Sequence, residues 1–265
     1  MSELARSELA RSAEVARSEV LIGVAHGSKD PRAAATISSL MSLVERRLGG
    51  AVDVRAAYLG HAAPSLPRVL GAVQDGDDVT VLPLLLTDAY HSKVDLPRLL
   101  PRTARYGQPL GPHPLLITAL ERRLAEAGVT PDPGTSVVLA AAGSSDPAAN
   151  AVIRGMARAW QRSARWRTVV PAFASAASPT PAEAVAALRR DDKSRGGTGR
   201  SGTGKVVVAT YLLAPGFFAD RIRDTSLAAG ATAVSAVLGA AAEVADVLAD
   251  RYAEAARPGQ RSAAA

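Results

Sequence analysis

The chain has 265 residues, and 31 lysines and arginines against 25 aspartates and glutamates give a formal net charge of +6. Apolar residues make up 48% of it, which is enough to fill one large domain or two ordinary ones and excludes a mostly disordered protein. The absence of cysteine excludes disulfides, thiolate metal sites, iron–sulfur clusters and cysteine nucleophiles.

Residues 1–18 begin with a five-residue repeat, Ser-Glu-Leu-Ala-Arg, at positions 2–6 and 7–11. No continuous apolar run follows a basic start, so the pattern favours neither a signal peptide nor a membrane span. We expect a flexible N-terminal extension, a cytoplasmic protein and no membrane partner. Because the arginines are scattered, we expect no nucleic acid partner either, although the positive charge could attract a polyanionic small molecule.

From residue 19 onward, apolar runs typical of buried strands alternate with segments of helical spacing. Strands are predicted at 19–25, 52–58 and 78–86, and helices at 32–48, 64–73, 95–103 and 115–127. This alternation predicts an α/β fold with a parallel sheet covered by helices on both faces.

The same pattern begins again after a linker at residues 131–134. Residues 137–147 resemble residues 20–31, with residue 142 opposite residue 26 at an offset of 116. Further similar pairs are 169–173 with 54–58 and 206–218 with 79–91. We therefore predict two similar lobes, at 19–130 and 135–256, with a flexible insertion at 191–204 and a disordered tail at 257–265. The cleft between the lobes is the predicted ligand site.

The second copy keeps the turn residues of the first but none of its histidines. The aligned pairs are His26 with Ala142, His61 with Ala176, and His91 with Phe218. Since a unit that folds without histidines does not need them for packing, we interpret the turns as structural and the histidines as functional.

His26 and His91 each follow a predicted strand at its carboxyl end, where open parallel sheets bind ligands. Two imidazoles on neighbouring strand ends can converge on one divalent ion and leave its other positions open. The alternative for His26 is a loop residue that hydrogen-bonds to its own turn. His61, after the second strand, is either a third ligand or an exposed loop residue, and His113, between two prolines, is better explained as a rigid start to a helix.

A glycine-rich run at residues 199–205 satisfies most of a phosphate-binding P-loop. Val206 stands where Ser or Thr is required, and the run precedes a strand instead of joining a strand to a helix. We interpret it as low-complexity sequence and expect no nucleotide cofactor.

Several segments carry a family resemblance. They are residues 25–31 (Ala-His-Gly-Ser-Lys-Asp-Pro), 57–59 with 64–66, 83–86 with 91–97, 110–114 and 212–220. In order and spacing they resemble the sirohydrochlorin chelatases of the CbiX and SirB type, over about residues 19–256. The resemblance implies two flavodoxin-like class II chelatase lobes, with the active site in the cleft and a degenerate second lobe.

The implied activity is that of a lyase that inserts Fe²⁺ or Co²⁺, as substrate, into a sirohydrochlorin-like tetrapyrrole without ATP. The resemblance implies that His26 and His91 bind metal and act in catalysis, with His61 as a further candidate ligand. The family often has acidic residues after the second strand, whereas residues 60–63 have none, so either His61 replaces them or the site has fewer ligands.

The carboxylates of such a substrate suit basic residues, and the candidate substrate contacts are Ser28, Lys29, Lys93 and Arg98, with Arg32 as another rim cation. A non-catalytic carrier of tetrapyrrole or metal is the main alternative function. A metal-dependent hydrolase is a weaker one, because no carboxylate base is evident. We expect a monomer, since the second copy already supplies the surface that a partner chain would offer.

Overall fold

Two α/β lobes follow one another in the computed structural model, which describes residues 18–87, 96, 98–194 and 204–257. The first lobe contains β1 (Glu19–Ala25), α1 (Pro31–Arg47), β2 (Val52–Tyr58), α2 (Leu66–Leu70), β3 (Asp78–Pro83), β4 (Arg105–Tyr106) and α3 (Pro114–Glu126). The second contains β5 (Thr135–Ala141), α4 (Pro147–Ser163), β6 (Thr168–Phe173), α5 (Pro181–Ser194), β7 (Lys205–Tyr211), α6 (Phe217–Ala228), β8 (Ala233–Val234) and α7 (Ala242–Ala256).

Each lobe has a four-stranded parallel sheet, and the strand order is the same in both. The orders are β2-β1-β3-β4 and β6-β5-β7-β8, so the first strand of each lobe lies inside its sheet. Strands β1 and β5 are buried almost throughout, as expected for strands covered on both faces. The predicted α/β architecture of two similar lobes is confirmed.

Matching turn chemistry starts the first long helix of each lobe. The side chain of Asp30 accepts a hydrogen bond from the backbone N–H of Arg32 at 2.9 Å, and Asp146 accepts one from Ala148 at 2.8 Å. A proline follows each aspartate, where its fixed φ suits the first helical position. The apolar stripe of α1, which includes Leu40 and Val44, is then buried.

Some elements are shorter or longer than the sequence predicts. Helix α2 covers only Leu66–Leu70. It starts late because the extended Ser65 pairs with the end of β2, where the N–H of Tyr58 donates to the carbonyl of Pro64 at 3.0 Å, and it ends early at the C-cap Gly71. Strand β3 ends at Pro83, three residues early. Of the helix predicted at 95–103, residues 96, 98 and 99 are helical, and residues 88–95 and 97 lie outside the described residues.

Helix α5 continues through residues 191–194, which belong to the predicted insertion. Asp192 holds this end in place, because its carboxylate pairs with Arg167 at 2.5 Å and accepts the N–H of Gly204. The Arg167 guanidinium and the Gly204 N–H keep the pKa of Asp192 below its usual value. Both ends of the insertion are therefore tied to the second lobe.

The last helix of each sequence copy packs against the other copy. Helix α7 contacts α1, β3 and β4 of the first lobe, and α3 contacts β7 of the second lobe as well as α7 itself. The result is one central apolar cluster that contains buried residues of both lobes, such as Leu40, Leu120, Phe173 and Leu248. Two smaller clusters lie on the outer faces of the sheets.

Polar contacts reinforce this exchange of helices. The hydroxyl of Tyr252 on α7 donates to the carboxylate of Glu19 on β1 at 2.8 Å, and the indole N–H of Trp160 donates to Glu121 on α3 at 2.8 Å. Burial is the larger cause that raises the pKa of Tyr252, and the hydrogen bond to Glu19 is the next, so the hydroxyl stays protonated and acts as the donor.

Among the described residues, no helix is both long and apolar enough to cross a lipid bilayer.

The shared core predicts that the two lobes unfold together. Leu248→Ala removes a fully buried side chain of α7 and should lower the free energy of unfolding by about 3 kcal/mol. Leu227→Ala, at an exposed site on α6, should change it by less than about 0.5 kcal/mol. Urea unfolding is followed by tryptophan fluorescence, because both tryptophans are in the second lobe, and by far-UV circular dichroism of the whole chain. Two separate transitions would contradict the prediction.

Candidate functional site

The carboxyl ends of β1 and β2 bring His26 and His61 together. After β1, the carbonyl of Ala25 accepts the N–H of Leu59 at 3.0 Å, and the carbonyl of His26 accepts the N–H of Gly60 at 3.1 Å. The two turns are thus hydrogen-bonded to each other, and the centroids of the His26 and His61 rings are 6.5 Å apart, with the planes at 58°. Both imidazoles are exposed to solvent and available to a ligand.

Gly27 makes this close approach of the two turns feasible. Its φ is +92°, and a Cβ added to it would overlap the carbonyl oxygen of Gly60. Gly143 in the second lobe has φ +84°, and a Cβ there would overlap the carbonyl oxygen of Ser175. Both lobes therefore need a glycine where the two turns meet, although only the first lobe has histidines in those turns.

The backbone of His61 has the left-handed conformation that residues other than glycine seldom adopt. Its φ is +60°, and the aligned Ala176 in the second lobe has φ +58°. For a residue with a Cβ this conformation costs about 1–2 kcal/mol. Because an alanine takes the same conformation, the loop fold imposes it, and the imidazole itself is not required for it.

The remaining predicted site residues are distributed as follows. Ser28 is part of the turn, where its Oγ accepts the N–H of Asp30 at 3.1 Å, and Ser144 does the same for Asp146 at 3.0 Å. Lys29 and Arg98 are exposed. His91 and Lys93 lie outside the described residues. Within the described part of the chain, no three His, Asp or Glu side chains are grouped so that they could hold a metal ion.

Arg32 joins the two lobes beside the histidine turns. Its guanidinium contacts Asp30 of its own helix and Asp220 on α6 of the second lobe, each at 2.6 Å. The hydrogen bonds from Arg32 lower the pKa of both carboxyls, so both stay ionised. Arg32 was predicted as a rim cation for the substrate, but the structure gives it two protein carboxylates.

A cavity of about 240 Å³ lies between the lobes at the carboxyl ends of the strands. Its lining is mostly apolar and comes from residues 84–87 of the first lobe and from the ends of β5 and β7 and the start of α4 in the second. At its edge, the buried hydroxyl of Tyr211 donates to the carbonyl of Leu86 at 3.0 Å. The cleft predicted between the lobes is therefore present, and both lobes line it.

His113 has a structural role, as the sequence predicts. It is the N-cap of α3, and its Nδ1 accepts the N–H of Leu115 at 3.2 Å. Its Nε2 lies 4.0 Å from a carboxylate oxygen of Asp250 on α7.

Sequence reasoning missed the contribution of Asp220 and Gly216 to this region. A Cβ on Gly216 would lie 3.8 Å from the Oγ of Ser28, so the loop before α6 is next to the turn that carries His26. Two sequence signals pointed here: residues 212–220 are part of the family resemblance, and the recurrence of the lobe places the start of α6 and the start of α1 at the same end of their sheets.

Comparison with known proteins identifies the family of the chain. The family model CbiX matches the chain twice, over residues 20–127 and 136–255. The chain belongs to the CbiX family. The two matched segments coincide with the two copies predicted from internal repetition, and they confirm the predicted resemblance to the sirohydrochlorin chelatases.

Curated relatives of this CbiX-family chain are chelatases. It is 28% identical to a sirohydrochlorin ferrochelatase of Bacillus subtilis (strain 168), over 66% of this chain and 70% of the relative. It is 25% identical to a sirohydrochlorin cobaltochelatase of Priestia megaterium, over 76% of this chain and 66% of the relative.

Solved structures share the fold of the CbiX-family chain. SirB from Bacillus subtilis with Fe³⁺ superposes with a TM-score of 0.73 at 23% identity, covering 90% of this chain and 96% of SirB. A CbiX structure superposes with a TM-score of 0.65 at 22% identity, covering 90% of this chain and all of the other. The two-lobe architecture is therefore that of known chelatase structures.

The glycine constraint can be tested by matched alanine substitutions in the CbiX-family chain. Gly27→Ala should lower the free energy of unfolding by at least about 2 kcal/mol and weaken Co²⁺ binding, because the turn that carries His26 must move away from Gly60. Gly143→Ala should cost a similar amount of stability and leave Co²⁺ affinity unchanged.

Gly49→Ala is the control for the backbone conformation alone. Its φ is +70°, but nothing lies within 4 Å of the added Cβ, so it should cost only about 1 kcal/mol. Urea titration and Co²⁺ titration of the three variants provide the measurements. Equal losses of stability at positions 27 and 49 would show that the contact between turns is unimportant.

Proposed function

We propose that this protein is a sirohydrochlorin chelatase that inserts Fe²⁺ or Co²⁺ into the tetrapyrrole without a nucleotide. The observation that carries the proposal is the pair of exposed imidazoles, His26 and His61, on adjacent strand ends beside the second lobe. Membership of the CbiX family and the names of the curated relatives support the same reaction.

The distance between the two rings means that a side chain must move before both can bind one ion. A metal–nitrogen bond is about 2.1 Å and a ring nitrogen lies about 1.1 Å from its centroid, so two imidazoles on opposite sides of one ion have centroids at most about 6.4 Å apart, and less in a bent arrangement. The observed 6.5 Å is just beyond that reach. Both side chains are exposed, and we propose that their rotation brings them to one ion and that the reverse rotation releases it to the macrocycle.

Metal insertion also requires that two pyrrole N–H protons leave the macrocycle while the ion loses its waters. Neutral imidazoles serve both needs, because they bind a divalent ion without cancelling its charge and accept protons near neutral pH. We propose that His26 and His61 share these tasks with His91, which lies outside the described residues. Imidazole suits iron and cobalt alike, so these ligands do not select between them.

Charge favours the approach of the substrate. The chain has a formal net charge of +6 and sirohydrochlorin carries many carboxylates, so the positive protein attracts the negative macrocycle. Lys29 and Arg98 are exposed and remain proposed contacts, together with Ser28 and Lys93. A monomeric state and a cytoplasmic location remain predictions from the sequence.

The decisive experiment is an anaerobic assay that contains sirohydrochlorin, Co²⁺ or Fe²⁺, catalytic amounts of protein and no nucleotide. The absorbance spectrum of the macrocycle should change to that of the metallated form faster than without protein, and over many turnovers. A spectral change that stops at one equivalent of protein would instead support the carrier function, and no change at all would contradict both.

Histidine variants test which imidazoles act in the reaction. His26→Ala and His91→Ala should each lower the metallation rate about 100-fold, as expected for loss of a ligand or proton acceptor, and His61→Ala should lower it about tenfold or more. Circular dichroism and melting temperature should stay near those of the wild type, because the second lobe folds with alanine at the matching positions 142 and 176 and with Phe218 opposite His91.

His113→Asn is the matched control. It removes an imidazole but keeps a side chain that can cap α3, so metallation should be unchanged. If His61→Ala retains wild-type turnover and Co²⁺ affinity, His61 is a loop residue and the site depends on His26 and His91.

A further inference from the structure

The second lobe exposes two phenylalanines at the start of α6. Phe217 is 72% exposed and Phe218 is 39% exposed, and their rings meet edge to face with centroids 5.6 Å apart. Keeping aromatic surface in contact with water costs free energy, so a contiguous exposed pair indicates a binding surface.

This pair lies next to the histidine turns of the first lobe. Gly216, which directly precedes Phe217, is the residue whose added Cβ would lie 3.8 Å from the Oγ of Ser28. The ion pair between Asp220 and Arg32 fixes the first turn of α6 to the first turn of α1. On the first lobe, Leu59 is 40% exposed and precedes His61 by two residues. Exposed apolar residues of both lobes are therefore carried by the segments that meet at the histidine turns.

Arg221 adds a positive charge to the same region of α6. It follows Phe217 by four residues and Phe218 by three, which are the spacings that place side chains on one face of a helix. Among the described residues Arg221 has no ion-pair partner, whereas Arg223 pairs with Asp220 and Asp224. A guanidinium on the same helix face as two aromatic side chains suits a flat π-system with carboxylates at its edge.

We propose that Phe217, Phe218 and Arg221 form the second lobe's part of the tetrapyrrole site. The phenylalanine rings pack on one face of the macrocycle, and Arg221 binds a peripheral carboxylate. The opposite face of the macrocycle is then free to meet a metal ion held by the first lobe. This inference rests on the proposed function and extends it, because it assigns a substrate-binding role to the lobe that has no histidine.

The probe is metal-free sirohydrochlorin, whose binding is followed by absorbance and fluorescence under anaerobic conditions. The double variant Phe217→Ala/Phe218→Ala should raise its Kd about tenfold, as expected for loss of aromatic stacking. Arg221→Gln should raise the Kd severalfold and reduce its dependence on salt concentration. Co²⁺ affinity should be unchanged in every variant, because the histidines are intact.

Leu227→Ala is the matched control, since it removes a 46% exposed apolar side chain from the same helix and should leave the Kd unchanged. Phe217→Tyr should bind as the wild type does, because it keeps the ring. If the double variant does not fold, Phe217→Ala alone is measured in its place, because most of this ring is exposed to solvent and its removal should not affect folding.

Wild-type affinity for sirohydrochlorin in the double variant would overturn this inference and leave the chelatase proposal standing. Failure of the wild-type protein to bind sirohydrochlorin would overturn the proposed function, and this inference with it. Sedimentation tests one other occupant of the surface: a wild-type dimer that the double variant converts to monomer would show that a second copy covers the phenylalanines, which also overturns the inference.

Discussion

The exchange of the last helices between the two sequence copies is the contact on which the rest of the molecule depends. Because α7 covers the first sheet and α3 packs on the second, the apolar residues between the sheets form a single core. The distance between the lobes is then set by close-packed side chains, which tolerate little change in spacing. A cleft with walls from two lobes can therefore keep a defined shape without a covalent link across it.

Within this frame, the candidate site is built almost entirely from backbone contacts between turns. Gly27 allows the turn after β1 to lie against Gly60, and two hydrogen bonds hold the turns together. The imidazoles of His26 and His61 project from this base and remain exposed. Their backbone positions are held by the turns while their side chains are open to solvent, which suits the role proposed for them, of binding an ion and then releasing it.

The sequence was enough to predict the alternation of strands and helices, the repetition and the position of His26 and His61 at strand ends, because apolar periodicity and strand ends are local signals. It could not predict the exchange of helices, since an amphipathic helix does not specify which of two equivalent sheets it covers. It also could not reveal that Arg32 binds Asp220, a residue 188 positions away. The shortness of α2 was missed because Pro64 and Ser65 pair with β2 only after the chain has folded.

The matching conformations of His61 and Ala176 mean that the loops adopt one shape whether or not they carry a functional side chain. The chemistry of the site is thus energetically separate from the folding of the loop that presents it. On the proposed function, a carboxylate could therefore replace the imidazole at position 61, and change the preference among divalent ions, while the conformation of the loop stays the same.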